Sequence, residues 1–505
     1  MAFNATVTIN EVPVTIFRKL YEIESRPLGV AILVLFAVTY ASFVLTKSSP
    51  EAKVPFVGLE LGSLSKRKKK YVTDANALLK EGIVAGQRFY TELCDFKDDE
   101  LSFKGSISDL FATHYTGVLI SDDLKELAIN RDLTPGMARL TETLEDEVNY
   151  IVGKEIGSCK EWKAVIMNKA TQNIIASVTA RSFVGMDLCR DPDWLRISVD
   201  YWMDAFAAAK SIKFWPVFLR PIAARLMPQP ARMHATRQEA QRLVVPVLKK
   251  RLDAMQNDPD YQKPDDIMQW MIDRLGDKAG TDEELHHQAH LQLALAMGAI
   301  HSTNFTLLHE MFDLAAYPEY HEPLREEYRE ALKSTGGILT KVTLNKLLML
   351  DSFMKESQRY NPPGLTNGRR KTLKDLVLSN GTVIPTGSNI ELPAGAVNAD
   401  PSIYPHADEF DGFRFYKLRK RSEDDMNKHQ FVTSSRDSLN WGYGRHACPG
   451  RFFAVDEIKV ILSKILQSYD LALVDPAAGR YKNSSFETMV IPDMEKAVMF
   501  RERAV

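Results

Sequence analysis

The chain has 505 residues, 45% hydrophobic and 26% charged, with a formal net charge of −2. It is long enough for one large core or two to three domains, and its near-neutral balance gives no bulk argument for nucleic-acid binding. Four cysteines (Cys94, Cys159, Cys189, Cys448) with no CxxC pair argue against a disulfide framework and structural zinc, and point to a reducing compartment.

In chain order, the first distinctive element is "LGVAILVLFAVTYASFVL", residues 28–45, which carries no charge. As a helix it spans about 27 Å, close to the ~30 Å hydrocarbon core of a bilayer. Glu11, Glu22 and Glu24 precede it, and it is long for a signal-peptide core. It reads as an uncleaved single anchor, after a short segment 1–27. Lys and Arg are nearly balanced across it, so the positive-inside rule is silent. Cysteine usage favours a cytosolic body and hence a lumenal 1–27. Residues 46–70 form a linker ending in the basic run Lys66 to Lys70, which suits solvent or anionic lipid headgroups.

From about Tyr71 to Tyr360, apolar residues recur three and four apart, as in "LTETLEDEVNYIV" and "IMQWMIDRLG", and predict helices. Between Leu373 and Leu392 the pattern alternates around Asn380-Gly381, a hairpin turn signal. The stretch Pro393 to Asn440 shows little periodicity. A final long helix is expected from near Cys448 to about Tyr469. The expected architecture is one domain, 71–505, mainly α with a small β portion.

Cys448 stands among Gly442, Gly444 and Gly450, with Pro449 opening the helix that follows. Glycines permit tight turns and close approach, and a helix N-terminus favours a thiolate. An inert core cysteine needs none of these features. The spacing Trp441-x-x-Gly444-x-His446-x-Cys448-x-Gly450 closely resembles the cytochrome P450 signature F-x-x-G-x-R/H-x-C-x-G, with Trp for the usual Phe. In that family the cysteine thiolate is the proximal ligand of haem iron. The resemblance places Trp441 near the sulfur and gives His446 a propionate-binding role.

Two further stretches support the resemblance. "ESQR" sets Glu356 and Arg359 at i,i+3 on one helix face. Alone this reads equally as a surface ion pair. Followed by Gly412-Phe413-Arg414-Phe415 in register with the family's P-E-R-F segment, it implies a buried Glu356–Arg359–Arg414 network that holds the loop seating the haem. In "LALAMGAIHSTNFTLL", Gly298 to Thr303 match the family's A/G-G-x-D/E-T-T on the helix over the oxygen site. His301 replaces the acid and Ser302 the first threonine. The resemblance implies that Ser302 and Thr303 serve proton delivery, with His301 tuning the water chain, and a back-bond or kink beside Ser302 making room for O₂. The competing reading of His301 is a hydrogen-bonded helix histidine. His286 and His290 have the i,i+4 spacing of a metal pair, but their charged surroundings suit a solvated face. Arg370, with Arg369 as alternative, is the second propionate candidate, and Arg131 and Thr134 stand near where the family's W-x-x-x-R would fall.

The resemblance implies a cytochrome P450 fold with an N-terminal transmembrane helix. It also implies haem b, O₂ as co-substrate and electrons from NADPH through NADPH–cytochrome P450 reductase. The sequence variants look most like fungal membrane-bound members of secondary metabolism. The expected substrate is apolar and small, a terpenoid or an indole-derived alkaloid, and the expected location is the endoplasmic reticulum membrane. Candidate lining segments are Phe103 to Thr116, Met203 to Ile222, the stretch after Pro363, and Ser484 to Val490. The alternatives are a haem-thiolate isomerase or dehydratase that needs no reductase, and a non-enzymatic haem carrier or sensor.

Overall fold

A computed structural model describes residues 89–503. The expected lumenal segment 1–27, anchor 28–45 and linker 46–70 lie outside the described residues. Among the described residues no helix is long and apolar enough to cross a membrane.

The principal helices are α1 (Tyr90–Asp95), α2 (Phe103–Phe111), α3 (Thr134–Glu155), α4 (Met167–Phe183), α5 (Pro192–Lys213), α6 (Arg220–Leu226), α7 (Pro228–Asn257), α8 (Asp282–Ala316), α9 (Leu348–Tyr360), α10 (Arg414–Arg419) and α11 (Arg451–Ser468). The longest, α8, starts where Thr281 accepts a hydrogen bond from the Glu284 N–H, with Asp282, Glu283 and Glu284 in its first turn. These acids complement the positive end of the helix dipole. Pro318 follows its end, where a proline disfavours continuation. Helix α8 is buried on several sides, and takes polar groups such as Gln292, Asn304, Glu310 and Asp313 inside with its apolar ones.

Four helices share the main core. Leu140, Leu144, Val148 and Ile151 of α3 lie on one face by their three- and four-residue spacing. They join Ile174 and Val178 of α4, Leu307 and Met311 of α8, and Ile458, Leu462 and Ile465 of α11 in one cluster. Helices α5 and α7 pack on each other and on α8, forming a second layer.

Among the described residues the β portion is four small sheets. Strands β1 (Leu101–Ser102), β3 (Asn367–Thr372) and β6 (Asn389–Leu392) form one, with Leu101 opposite Thr372. Strands β2 (Lys163–Ile166), β10 (Ala497–Glu502) and β7 (Tyr469–Leu473) form another, with Val498 opposite Leu473. The hairpin read at Asn380-Gly381 is present as β4 (Leu376–Val377) and β5 (Val383–Ile384), with Gly381 at φ +81°. The last hairpin, β8 (Ser484–Phe486) and β9 (Met489–Ile491), turns at Glu487. It is tied to the chain after α9, where Leu365 N–H donates to Thr488 O at 2.6 Å.

Candidate active site

The Cys448 loop is built by main-chain hydrogen bonds. Gly442 N–H donates to Leu439 O at 2.8 Å, and Cys448 N–H to Trp441 O at 2.7 Å. Gly442 and Gly444 have φ +77° and +70°, a region that side chains rarely adopt. A Cβ added at Gly444 would also stand 3.3 Å from Cys94 Cβ. The loop ends three residues before α11, and the N–H groups of Gly450 and Arg451 are hydrogen-bonded to the cysteine sulfur. Burial pushes the Cys448 thiol up, while those N–H groups and the Arg451 charge pull it down. A sulfur held in this way is ready to be a ligand but needs a cation to become a thiolate. The Trp441 indole is anchored on Phe431: its Nε1–H donates to Phe431 O at 2.8 Å and the two rings meet edge-on at 5.4 Å.

The predicted charge network is present. Glu356 and Arg359 are buried and pair at 2.7 Å, and Arg414 Nε reaches Glu356 at 3.1 Å. Arg359 also donates to the carbonyls of Asn398 and Ala407 at 2.8 Å and Glu409 at 3.1 Å. Arg414 donates to those of Pro405, His406 and Glu409. The two guanidinium groups thus satisfy the carbonyls of a segment that has little secondary structure of its own. A second network escaped sequence reading. Asp351 on α9 pairs with Lys459 of α11 at 2.7 Å and Arg419 of α10 at 3.2 Å, and accepts the Phe431 N–H at 2.8 Å. Its only local signal was an acid five residues ahead of Glu356 on the same helix.

On α8, Gly298 and Ser302 are exposed although their neighbours Ile300, His301 and Thr303 are buried. A Cβ at Gly298 would meet no protein atom within 4 Å, and the same holds at Gly450. Both glycines therefore border open space. Ser302 Oγ back-bonds to Gly298 O at 3.5 Å, and Thr306 Oγ1 to Ser302 O at 2.9 Å. The helix runs unbroken past them, so the room comes from small side chains and not from a break. His301 does not join this opening. Its Nε2 donates to Val199 O of α5 at 2.8 Å, its ring lies 5.0 Å from Trp202, and burial pulls its pKa down. It bridges two helices, as the competing reading of a hydrogen-bonded helix histidine has it.

Arg370, Arg445 and His446 gather at one small cavity, beside Cys94 and Tyr443. Arg370 is buried against the Phe103 ring, donates to Arg369 O at 2.8 Å, and has no carboxylate within ion-pair distance among the described residues. The alternative, Arg369, is committed to Glu391. His446 bonds Asp98 at 2.7 Å, and Arg445, which sequence reading passed over, donates to Phe96 O. Arg131 is exposed and Thr134 Oγ1 bonds Ile129 O, so neither joins this group. His286 is exposed as expected, but His290 is partly buried and meets Tyr201 OH at 3.3 Å, and no metal cluster occurs among the described residues. A larger cavity of about 720 Å³ opens beside the loop, lined by Cys94, Gln430, Ser434, Tyr443, Arg445 and Phe452 among others. None of its lining residues belongs to α8, so it is not the space over Ser302.

Residues 137–494 match the family model described as Cytochrome P450. The chain belongs to the cytochrome P450 family. Similar proteins include cytochrome P450 monooxygenase braC of Annulohypoxylon truncatum, 38% identical, covering 89% of this chain and 92% of that protein. Cytochrome P450 monooxygenase AN1598 of Emericella nidulans is 33% identical, covering 96% and 94%. Cytochrome P450 monooxygenase paxP of Penicillium paxilli is 33% identical, covering 86% and 84%.

This P450 is a monooxygenase, and its residues fit the family's haem. Cys448 supplies the soft donor, Gly298 and Gly450 leave space, and a buried arginine without a carboxylate partner suits a propionate. Cys448 would hold the iron, and Arg370 and His446 the carboxylates. Haem with a thiolate ligand supplies dioxygen activation. The chain's part is to hold Cys448 by its loop, shield the charges behind it, and present the Ser302 hydroxyl at the opening of α8.

Proposed function

We propose that this P450 is a single-pass protein of the endoplasmic reticulum membrane, its catalytic domain cytosolic. It inserts one oxygen atom from O₂ into an apolar small molecule of fungal secondary metabolism, a terpenoid or an indole-derived alkaloid. Electrons come from NADPH through NADPH–cytochrome P450 reductase. The Cys448 loop carries the reading of the chemistry. Membrane attachment is supported by the apolar segment 28–45 and by an exposed apolar patch. Phe214 is 85% exposed, Val217 67%, and Leu226 77%, with Phe218 and Ile222 beside them. Lys213, Arg220 and Arg225 flank this patch. Apolar groups rimmed by basic ones suit an anionic lipid surface. The fungal sources of the similar proteins support the metabolic setting.

The test is expression in a host carrying the reductase, with metabolite extracts of the source organism as substrates. A product that gains one oxygen and requires NADPH is expected. Turnover without NADPH or oxygen uptake would point instead to an isomerase or dehydratase. Cys448→Ser is expected to abolish the haem-thiolate carbon monoxide band, and an unchanged band would remove Cys448 from the iron. Protease added to intact microsomes is expected to digest the catalytic domain; protection would place it in the lumen.

A further inference from the structure

Two segments expected to line the substrate cavity meet the oxygen helix in one continuous series of contacts. Trp202, Phe206 and Lys210 stand four residues apart on α5 and share a face. At one end the His301 ring lies 5.0 Å from Trp202, and its Nε2 donates to Val199 O at 2.8 Å. Trp202 and Phe206 stack at 5.5 Å with planes 4° apart. Lys210 Nζ stands 4.8 Å from the Phe206 ring and 4.7 Å from the Phe486 ring at the tip of the β8–β9 hairpin. The series therefore runs from α8, along α5, to the C-terminal hairpin.

We propose that this seam sets the height of α5 over the oxygen helix, and so the size and orientation of the substrate that reaches Ser302. Lys210 is its releasable link. The two outer parts are firmly held. The hairpin is fixed by the Leu365–Thr488 bond and by Asn483 donating to Asn361 at 2.8 Å, and Arg480 just ahead of it pairs with buried Asp313 on α8. The end of α5 is seated by buried Ala208, Ala209 and Ile212 and by Lys213 Nζ donating to Leu110 O at 3.0 Å, but its link to the hairpin is exposed. Lys210 is exposed, and α5 leads straight into the exposed Phe214 to Leu226 patch. An ammonium between two ring faces is attracted to both yet stays hydrated, so the contact forms and breaks at small cost. A buried salt bridge there would lock the helix. His301 is then a positioning residue, fastening the other end of the seam by a directed hydrogen bond and a ring contact. The reading holds whichever apolar substrate the enzyme takes.

The test uses the full-length haem-loaded protein and two probes, imidazole and the bulkier 4-phenylimidazole. Lys210→Met and Phe486→Leu are each expected to speed departure of 4-phenylimidazole by about two- to fivefold, the size of one exposed cation–π contact. Departure of imidazole should not change. Amide hydrogen exchange over 206–213 should rise by a similar factor. The double variant should do no more than either single one, and Lys210→Arg should behave as wild type. Unchanged rates for both probes, equal acceleration of both, or additive effects in the double variant would each overturn the seam. For its other end, His301→Leu should raise exchange over 199–206 while leaving the fraction of electrons lost to hydrogen peroxide unchanged. A rise in peroxide without a change in exchange would return His301 to proton delivery.

Discussion

The region behind Cys448 and the region over α8 are held by different forces. Behind the cysteine, Glu356, Arg359, Arg414, Asp351, Arg419 and Lys459 are largely buried, and their charges meet other charges or main-chain groups. Over α8, α5 is joined to the hairpin through ring stacking and a cation in solvent. The first kind of contact tolerates almost no displacement, because a buried charge that loses its partner is costly. The second tolerates sliding. A metal ligand must not move between substrates, whereas the cover over a varied substrate must.

The sharpest way to break this contrast is to remove a charge from the rigid side. Arg359→Leu leaves Glu356 with Arg414 as its one remaining cation and frees the carbonyls of Asn398 and Ala407. A loss of about 3–5 kcal/mol is expected, seen as a lower Tm and poor haem retention. Arg359→Lys should rescue little, since an ammonium cannot reproduce the planar fork. Retention of wild-type Tm and haem content by Arg359→Leu would erase the distinction.

A smaller effect on overall integrity is expected at the opening of α8. Ser302→Ala removes a hydroxyl whose only internal bond is a weak back-bond. Product per NADPH should fall and hydrogen peroxide rise, with carbon monoxide band and Tm nearly intact. General acid–base contributions of ~10²–10⁴-fold bound the loss of rate. Ser302→Thr should keep coupling. Wild-type coupling in a Ser302→Ala, Thr303→Ala double variant would show that protons arrive by another route.

The smallest effect concerns the packing of α5 on α8, where His290 meets Tyr201 OH. Burial, with help from Arg237, pulls the pKa of His290 from 6.5 to about 4. In the folded protein the ring stays neutral where the unfolded chain takes up a proton. Stability is therefore present above pH 6.5 and lost as pH falls towards about 4. His290→Gln should flatten that part of the acid limb without altering activity at pH 7, as urea denaturation at several pH values would show. An unchanged slope would mean that His290 titrates normally.

What the sequence made legible follows the same division. The cysteine loop and the Glu356–Arg359 pair depend on fixed local spacing, so they stand out as short patterns. The β4–β5 hairpin was legible because Asn380-Gly381 suits only a tight turn. The Asp351–Lys459 pair and the Lys210–Phe486 contact join residues far apart in the chain, and nothing periodic marks them. The setting of His301 was not legible, because register with an acid–alcohol pair locates a residue along a helix. It does not say which neighbour its ring will reach across the interface, and here that neighbour is α5.

Arg359 and Arg414 grip the carbonyls of Asn398, Pro405, His406, Ala407 and Glu409, not their side chains. Every residue type offers the same carbonyl. The grip therefore fixes the path of the segment without reading its side chains, whereas Gly412 beyond it is set by packing: a Cβ there would stand 2.8 Å from Tyr320 and 2.9 Å from Phe353, and its N–H donates to Tyr320 OH at 3.0 Å. For anyone reshaping this enzyme, exposed Pro401, Pro405, Asp408 and Glu409 are open to substitution, while buried Asn398, Tyr404 and Ala407 and the two arginines are best left alone.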